Sequence, residues 1–230
     1  HERLFTLIRN LHRRHFILTT ASALAMGISS PGVLAQGATQ TAAGKPAVIL
    51  VVGDSLSAEY GLARGTGWVA LLEKQLAQEK INAKVINASV SGETTSGGRS
   101  RLAALLQQHQ PSQVVIELGG NDALRGLPLQ NTQDNLSFMA QSAQKAGAKV
   151  LLVGMQVPPN YGTDYAKRFA AVFETVAKTH KTAVVPFFLK GVADGADPTR
   201  LFQADRIHPK AEAHPQMLAN VWPELKKLLR

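Results

Sequence analysis

The chain has 230 residues, a formal net charge of +9, ordinary apolar content (45%) and no cysteine. That length suits one sizeable domain with a full core, and the missing cysteine excludes disulfides, thiolate metal sites and thiol catalysis. The positive charge is neither run together nor interleaved with aromatics, which argues against nucleic-acid binding. It is expected instead to form a solvated basic surface suited to anionic substrates or transient contact with a membrane surface.

Residues 1–35 carry the parts of an export signal: a basic stretch at 9–14, a mildly apolar one at 16–28, and small residues at Val33 and Ala35 before Gln36. The apolar stretch is too short, and too rich in Thr, Ser and Gly, for a membrane span. Arg13-Arg14-His15-Phe16 is similar to a twin-arginine signal; an ordinary secretory signal with two adjacent arginines fits equally well. Either predicts a mature protein outside the cytoplasm. Residues 36–46 are small and polar without periodicity, and read as a flexible leader to a domain spanning 47–230.

That domain opens with Ala47-Val-Ile-Leu-Val-Val52, a buried-strand pattern, followed at once by the turn Gly53-Asp54-Ser55. A serine just past a buried strand sits at the carboxyl edge of a sheet, where open α/β folds keep their ligands. Trp68, Leu71, Leu72 and Leu76 predict a helix over 67–79, and 84–87 a short strand. Residues 89–98 read as loop. Leu102, Leu105 and Leu106 mark a helix ending near Gln110-Pro111. A second buried strand spans 113–118 and is closed by Gly119-Gly120. Asn131 or Thr132 is expected to cap a helix stopped by Gly147. A strand over 149–154, a helical stripe from Ala166 to Val176 and a strand over 183–185 follow. The last helix is expected to begin near Pro209, with interruptions at Pro215 and Pro223. Such alternation of strand and helix predicts one α/β sandwich, a mostly parallel sheet covered on both faces.

Four pieces of chemistry each fall past a different predicted strand. Ser55 is a nucleophile only if a base stands within reach. Asp205-Arg206-Ile207-His208-Pro209 can supply an imidazole with its orienting carboxylate, or merely a helix cap and a surface histidine. His109 and His180, near helix C-termini, and His214 read as structural. Asn121, after Gly119-Gly120, offers an amide donor for a developing oxyanion, or a turn cap. Gly92, in Ser91-Gly92-Glu93, lets a backbone N–H approach a substrate, or is a loop glycine. Asp54 and Asp122 read as turn-stabilising groups. Residues 123–130, carrying Leu124, Leu127 and Leu129, form either an apolar rim gripping an acyl chain or a loop packed on the core. No metal-ligand spacing is present, and no cofactor is expected.

In their order along the chain, Gly53-Asp54-Ser55-Leu56, Gly92, Gly120-Asn121-Asp122 and Asp205-Arg-Ile-His208-Pro209 resemble the four sequence blocks of the SGNH (GDSL) hydrolase family. Glu117-Leu-Gly-Gly-Asn-Asp-Ala-Leu-Arg-Gly126, Pro158-Pro-Asn-Tyr-Gly162 and Pro186-Phe-Phe188 extend the likeness to its bacterial thioesterase/arylesterase/lysophospholipase branch. The resemblance implies a three-layer α/β/α sandwich with a flavodoxin-like five-stranded parallel sheet in the order 2-1-3-4-5. It implies Ser55 as nucleophile, His208 as base, Asp205 as orienter, and an oxyanion hole from the Ser55 and Gly92 N–H groups and the Asn121 side chain. It further implies hydrolysis of acyl esters and thioesters without a cofactor, in a protein expected to be a monomer. A carbohydrate O-acetyl esterase and a non-catalytic lipid- or carbohydrate-binding relative are the alternatives. Glu93 and Arg206 depart from the residues frequent in the family.

Overall fold

The computed structural model describes residues 45–230; the export signal and nearly all of the leader lie outside the described residues. Five strands, β1 (Ala47–Gly53), β2 (Ala83–Asn87), β3 (Gln113–Glu117), β4 (Lys149–Val153) and β5 (Ala183–Val185), pair in parallel in the order β2-β1-β3-β4-β5. The fold is the expected five-stranded α/β sandwich. Among the described residues, six α-helices accompany the sheet: α1 (Trp68–Gln78), α2 (Thr95–His109), α3 (Gly120–Leu124), α4 (Leu129–Lys145), α5 (Thr163–His180) and α6 (His214–Leu228).

Helices α1 and α6 pack together, while α2, α4 and α5 pack side by side as a second layer. The central strands are buried on both sides: residues 49–53 of β1 and all of β3 are inaccessible. This is why they read as continuous apolar runs rather than alternating ones. The chain moves outward from β1 to β2, then returns past β1 to form β3. A crevice therefore opens at the carboxyl ends of β1 and β3, where the direction of winding reverses.

Four sequence expectations are corrected. The 89–98 loop ends at Thr94, which caps α2 by accepting the Gly97 N–H, so Thr95 to Gly98 is helical. Gly98 suits this first turn because a Cβ there would lie 2.3 Å from Leu118 Cδ1. The 123–130 segment is not one loop, since α3 runs to Leu124 and α4 begins at Leu129. Pro128, not Asn131 or Thr132, occupies the N-cap of α4; Thr132 is buried and donates its hydroxyl to Asp122 at 3.3 Å. Finally, α6 begins at His214, not near Pro209. Pro215 sits in its first turn, where a missing N–H costs nothing, and Pro223 lies within the helix. The helix of 67–79 and the Gly147 stop (φ +87) agree with expectation.

Candidate active site

The site is built from the turns that follow the strands. Gly53, the last residue of β1, stands opposite Glu117, the last of β3. Asp54 then folds the chain back: its Oδ1 accepts the Leu56 N–H at 3.0 Å, and its carbonyl accepts the N–H groups of Ser57 and Ala58. Ser55 is thereby presented at the turn's apex, half-buried. The chain that leaves β2 is held against the end of β1 by Ala88 N–H to Val51 O at 2.9 Å and Val90 N–H to Gly53 O at 3.0 Å. That brings Gly92 (φ +77) into the same region, its carbonyl held by Arg125 Nη2 at 2.7 Å.

Asn121 lies in the first turn of α3, and its Nδ2 donates to Asp54 Oδ2 at 3.0 Å. The neighbouring Asp122 is buried and accepts the Thr95 N–H at 2.8 Å, so it ties α3 to α2. Asp54 is a turn-stabilising group, as its sequence position suggested, with the added part of holding the Asn121 amide; Asp122 is instead a tie between helices, since its carboxylate accepts from Thr95 of α2 and Thr132 of α4.

His208 reaches Ser55 from 153 positions away: its Nε2 lies 2.9 Å from Ser55 Oγ. Its Nδ1 lies 2.6 Å from Asp205 Oδ2. A carboxylate can only accept, so Nδ1 carries the proton and Nε2 turns a lone pair toward the serine hydroxyl. Asp205 does not cap a helix. Its Oδ1 accepts the N–H groups of Ile207 and His208, at 2.9 and 3.0 Å. The His208 side-chain bond, then these backbone bonds, lower its carboxyl to about 2. Pro209 pairs in an antiparallel bridge with Phe202, which makes residues 202–209 a small hairpin rather than a helix start. Arg206 stands at its turn with φ +59, where glycine is most at ease and an arginine is strained. Glu93, the other departure from the family pattern, is bound by the Arg101 guanidinium.

Beneath the serine turn lies a buried polar set that the sequence reading passed over. Ser57 Oγ donates to Glu117 Oε2 at 2.7 Å and accepts from Trp68 Nε1 at 3.0 Å. The Trp68 backbone N–H donates to His214 Nδ1 at 3.0 Å. Burial, reinforced by the nearby Asp54 charge, pushes the Glu117 carboxyl well above its usual range; burial likewise raises Asp54 to about 6. Burial lowers His214, keeping it the neutral acceptor that Trp68 requires. The one sequence signal for this set was a charged residue, Glu117, ending an otherwise apolar strand. His109 and His180 close α2 and α5, as expected.

Leu124 is exposed at the end of α3, whereas Leu127 and Leu129 line a cleft of about 600 Å³ against Tyr165, Arg168 and Val172 of α5. Leu129 also packs on the core, because the start of α4 turns it inward. The segment that follows each strand exposes a large apolar side chain: Tyr60, Val90, Leu124 at the end of α3, Tyr161 and Ile207 in turn.

Residues 51–215 match the model of the GDSL-like lipase/acylhydrolase family. The chain belongs to that family. It is 54% identical over 191 residues to esterase TesA of Pseudomonas aeruginosa, covering 83% of this chain and 92% of the relative. It is 42% identical over 167 residues to the thioesterase 1/protease 1/lysophospholipase L1 of Escherichia coli, covering 73% and 77%. Among solved structures, the psychrotrophic esterase EstA from Pseudoalteromonas, inhibited by monoethylphosphonate, superposes with a TM-score of 0.73 at 40% identity, over 79% of this chain and 98% of that one. These relatives are named esterases and thioesterases, and this member of the GDSL family is a serine ester hydrolase.

Proposed function

We propose that the protein hydrolyses esters and thioesters of acyl chains through an acyl-enzyme on Ser55. The observation that carries this reading is the His208 imidazole, bonded to Ser55 Oγ on one side and to Asp205 on the other. Ser55 Oγ attacks the acyl carbonyl carbon while His208 Nε2 takes the hydroxyl proton. Negative charge then develops on the carbonyl oxygen, and the N–H groups of Ser55 and Gly92 and the Asn121 amide are its donors. Collapse expels the alcohol or thiol, which receives the proton from His208. Water attacks the acyl-enzyme in the same way, with His208 again as base, and the acid is released. Asp205, with its carboxyl at about 2, stays ionised throughout and stabilises the imidazolium formed in each half-reaction.

The apolar side chains exposed after the five strands favour acyl chains over acetylated sugars, with Leu124 at the rim and Leu127 and Leu129 in the neighbouring cleft as candidate chain contacts. The thioesterase and lysophospholipase named among its relatives extend the expected substrates to acyl thioesters and lysophospholipids. The same apolar side chains suit transient contact with lipid aggregates. Export through the 1–35 segment, and action as a monomer, complete the proposal.

A fluorophosphonate probe is expected to label the wild-type protein and leave Ser55→Ala unlabelled. A p-nitrophenyl ester ladder, with an acyl-CoA and a lysophospholipid alongside, is expected to show rates rising beyond acetate. Absent labelling, or turnover persisting in Ser55→Ala, refutes the acyl-enzyme; activity confined to acetyl esters refutes the acyl-chain assignment.

A further inference from the structure

Ser55 and His208 meet across 153 positions of chain, so something other than chain connectivity must fix their separation. Gln203 lies five residues before His208, and its backbone N–H donates to the His208 carbonyl at 2.8 Å. Lys210 N–H to Leu201 O, also 2.8 Å, completes the pairing of the hairpin that presents His208. The Gln203 side chain reaches out of this hairpin. Its Nε2 donates to the Tyr60 carbonyl at 3.0 Å and to the Pro209 carbonyl at 3.1 Å. Carbonyl oxygens only accept, so two of them facing one amide end require that end to be the nitrogen.

Tyr60 belongs to the serine loop, and its N–H donates to the Ser55 carbonyl at 3.3 Å. Three hydrogen bonds thus run from the backbone of Ser55, through Tyr60 and Gln203, to the backbone of His208. The Tyr60 ring lies against the His208 ring at 4.2 Å between centroids. Gly61 provides the space: its φ is +70, and a Cβ there would stand 2.2 Å from Gln203 Oε1.

We propose that Gln203 is a positioning residue that clasps the serine loop to the histidine hairpin and so sets the Ser55–His208 distance. The proposal rests on the reading of these two residues as nucleophile and base. Misplacing reacting groups by about 1 Å costs on the order of 10²-fold in rate, while substrate binding is untouched. The expected signature is therefore in kcat and not in KM.

The test is Gln203→Met, which keeps length and removes both donors. With a p-nitrophenyl butyrate assay, kcat is expected to fall about 10- to 100-fold with KM within about twofold of wild type. The second-order rate of fluorophosphonate labelling per folded protein is expected to fall in parallel, with Tm nearly unchanged. Gln203→Glu, which presents acceptors to acceptors, repeats the measurement should the methionine variant fail to fold. The clasp is refuted by kcat and labelling rates within about twofold of wild type, or by losses that match a loss of folded protein. Ser55→Ala separates the two readings. If it is inactive while Gln203→Met is unaffected, the clasp alone fails; if it remains active, the nucleophile assignment fails with it.

Discussion

Glu117 accepts the Ser57 hydroxyl at 2.7 Å, with its carboxyl group sealed from water beneath the turn that carries Ser55. Burial and the nearby Asp54 charge disfavour its carboxylate form, and they outweigh the Ser57 hydroxyl and the Asp54 N–H, which as donors favour it. An acid in such a place resists ionising. Its folded pKa stands above the ordinary 4.5, so the native state binds the extra proton and stability is lost as pH rises through the folded value. Glu117→Gln keeps the acceptor and the volume without the charge. It is expected to match wild type near pH 4.5 and to exceed it at pH 8 in urea unfolding. Glu117→Ala, which leaves the Ser57 hydroxyl unpaired beside a void, is expected to cost about 2–4 kcal/mol at either pH. A wild-type stability flat between these pH values would count against the buried neutral acid.

The Asn121 amide is held by Asp54 at 3.0 Å, and this bond aims it at the serine turn. Removing one donor of an oxyanion hole typically costs about 10²- to 10³-fold in kcat. Asn121→Ala is expected to show that loss with little change in KM. Asp54→Ala removes the anchor but not the donor, so a smaller loss is expected, and the double variant should be no slower than Asn121→Ala alone. Steady-state kinetics on the four proteins checks this; losses that simply multiply would show that Asp54 acts otherwise.

His214 is neutral because burial lowers its pKa below the ordinary 6.5. Only the neutral ring can accept the Trp68 N–H. The stabilisation is present above pH 6.5 and lost as pH falls through the folded value, the reverse of the Glu117 effect. His214→Gln is expected to lose this acid sensitivity: its urea midpoint should change less than the wild-type midpoint as pH falls below 6.5. Parallel midpoint curves would rule the assignment out.

Two glycines at the site are required for different reasons. A Cβ on Gly53 would lie 2.7 Å from Ser57 Oγ and 2.8 Å from Glu117 Oε2, so Gly53→Ala is a collision in the buried network, expected to cost about 1–3 kcal/mol. At Gly92 there is room, the nearest atom being Arg125 Nη2 at 3.7 Å, but φ is +77. Gly92→Ala therefore meets backbone strain of about 1–2 kcal/mol, relieved by turning its peptide. Its stability is expected to fall less than that of Gly53→Ala, and its kcat to fall through the displaced N–H. Thermal unfolding with kcat for both variants distinguishes collision from strain.

Much of this protein was legible in its amino-acid order because the signals are local. Continuous Val/Ile/Leu runs ended by Gly, Asp or Asn mark the strands buried on both faces, whose carboxyl edges carry Ser55 and Asn121, while Gly92 follows the shorter, partly exposed β2. Where local signals compete, the reading slipped: Pro209 looks like a helix start, yet its pairing with Phe202 prevails and α6 waits for His214. The hydrogen bonds that join Glu117 to Ser57 and Gln203 to Tyr60 cross 60 and 143 positions. No periodicity encodes such pairs. The first exists because β1 lies between β2 and β3, which sets Gly53 beside Glu117 and leaves no space for a side chain there; the second exists because the 202–209 hairpin folds back onto the serine loop. Residue types and turn positions were thus determined along the chain, whereas the partners of buried polar groups were decided only when the sheet closed over them, since an unpaired polar group tolerates water but not burial.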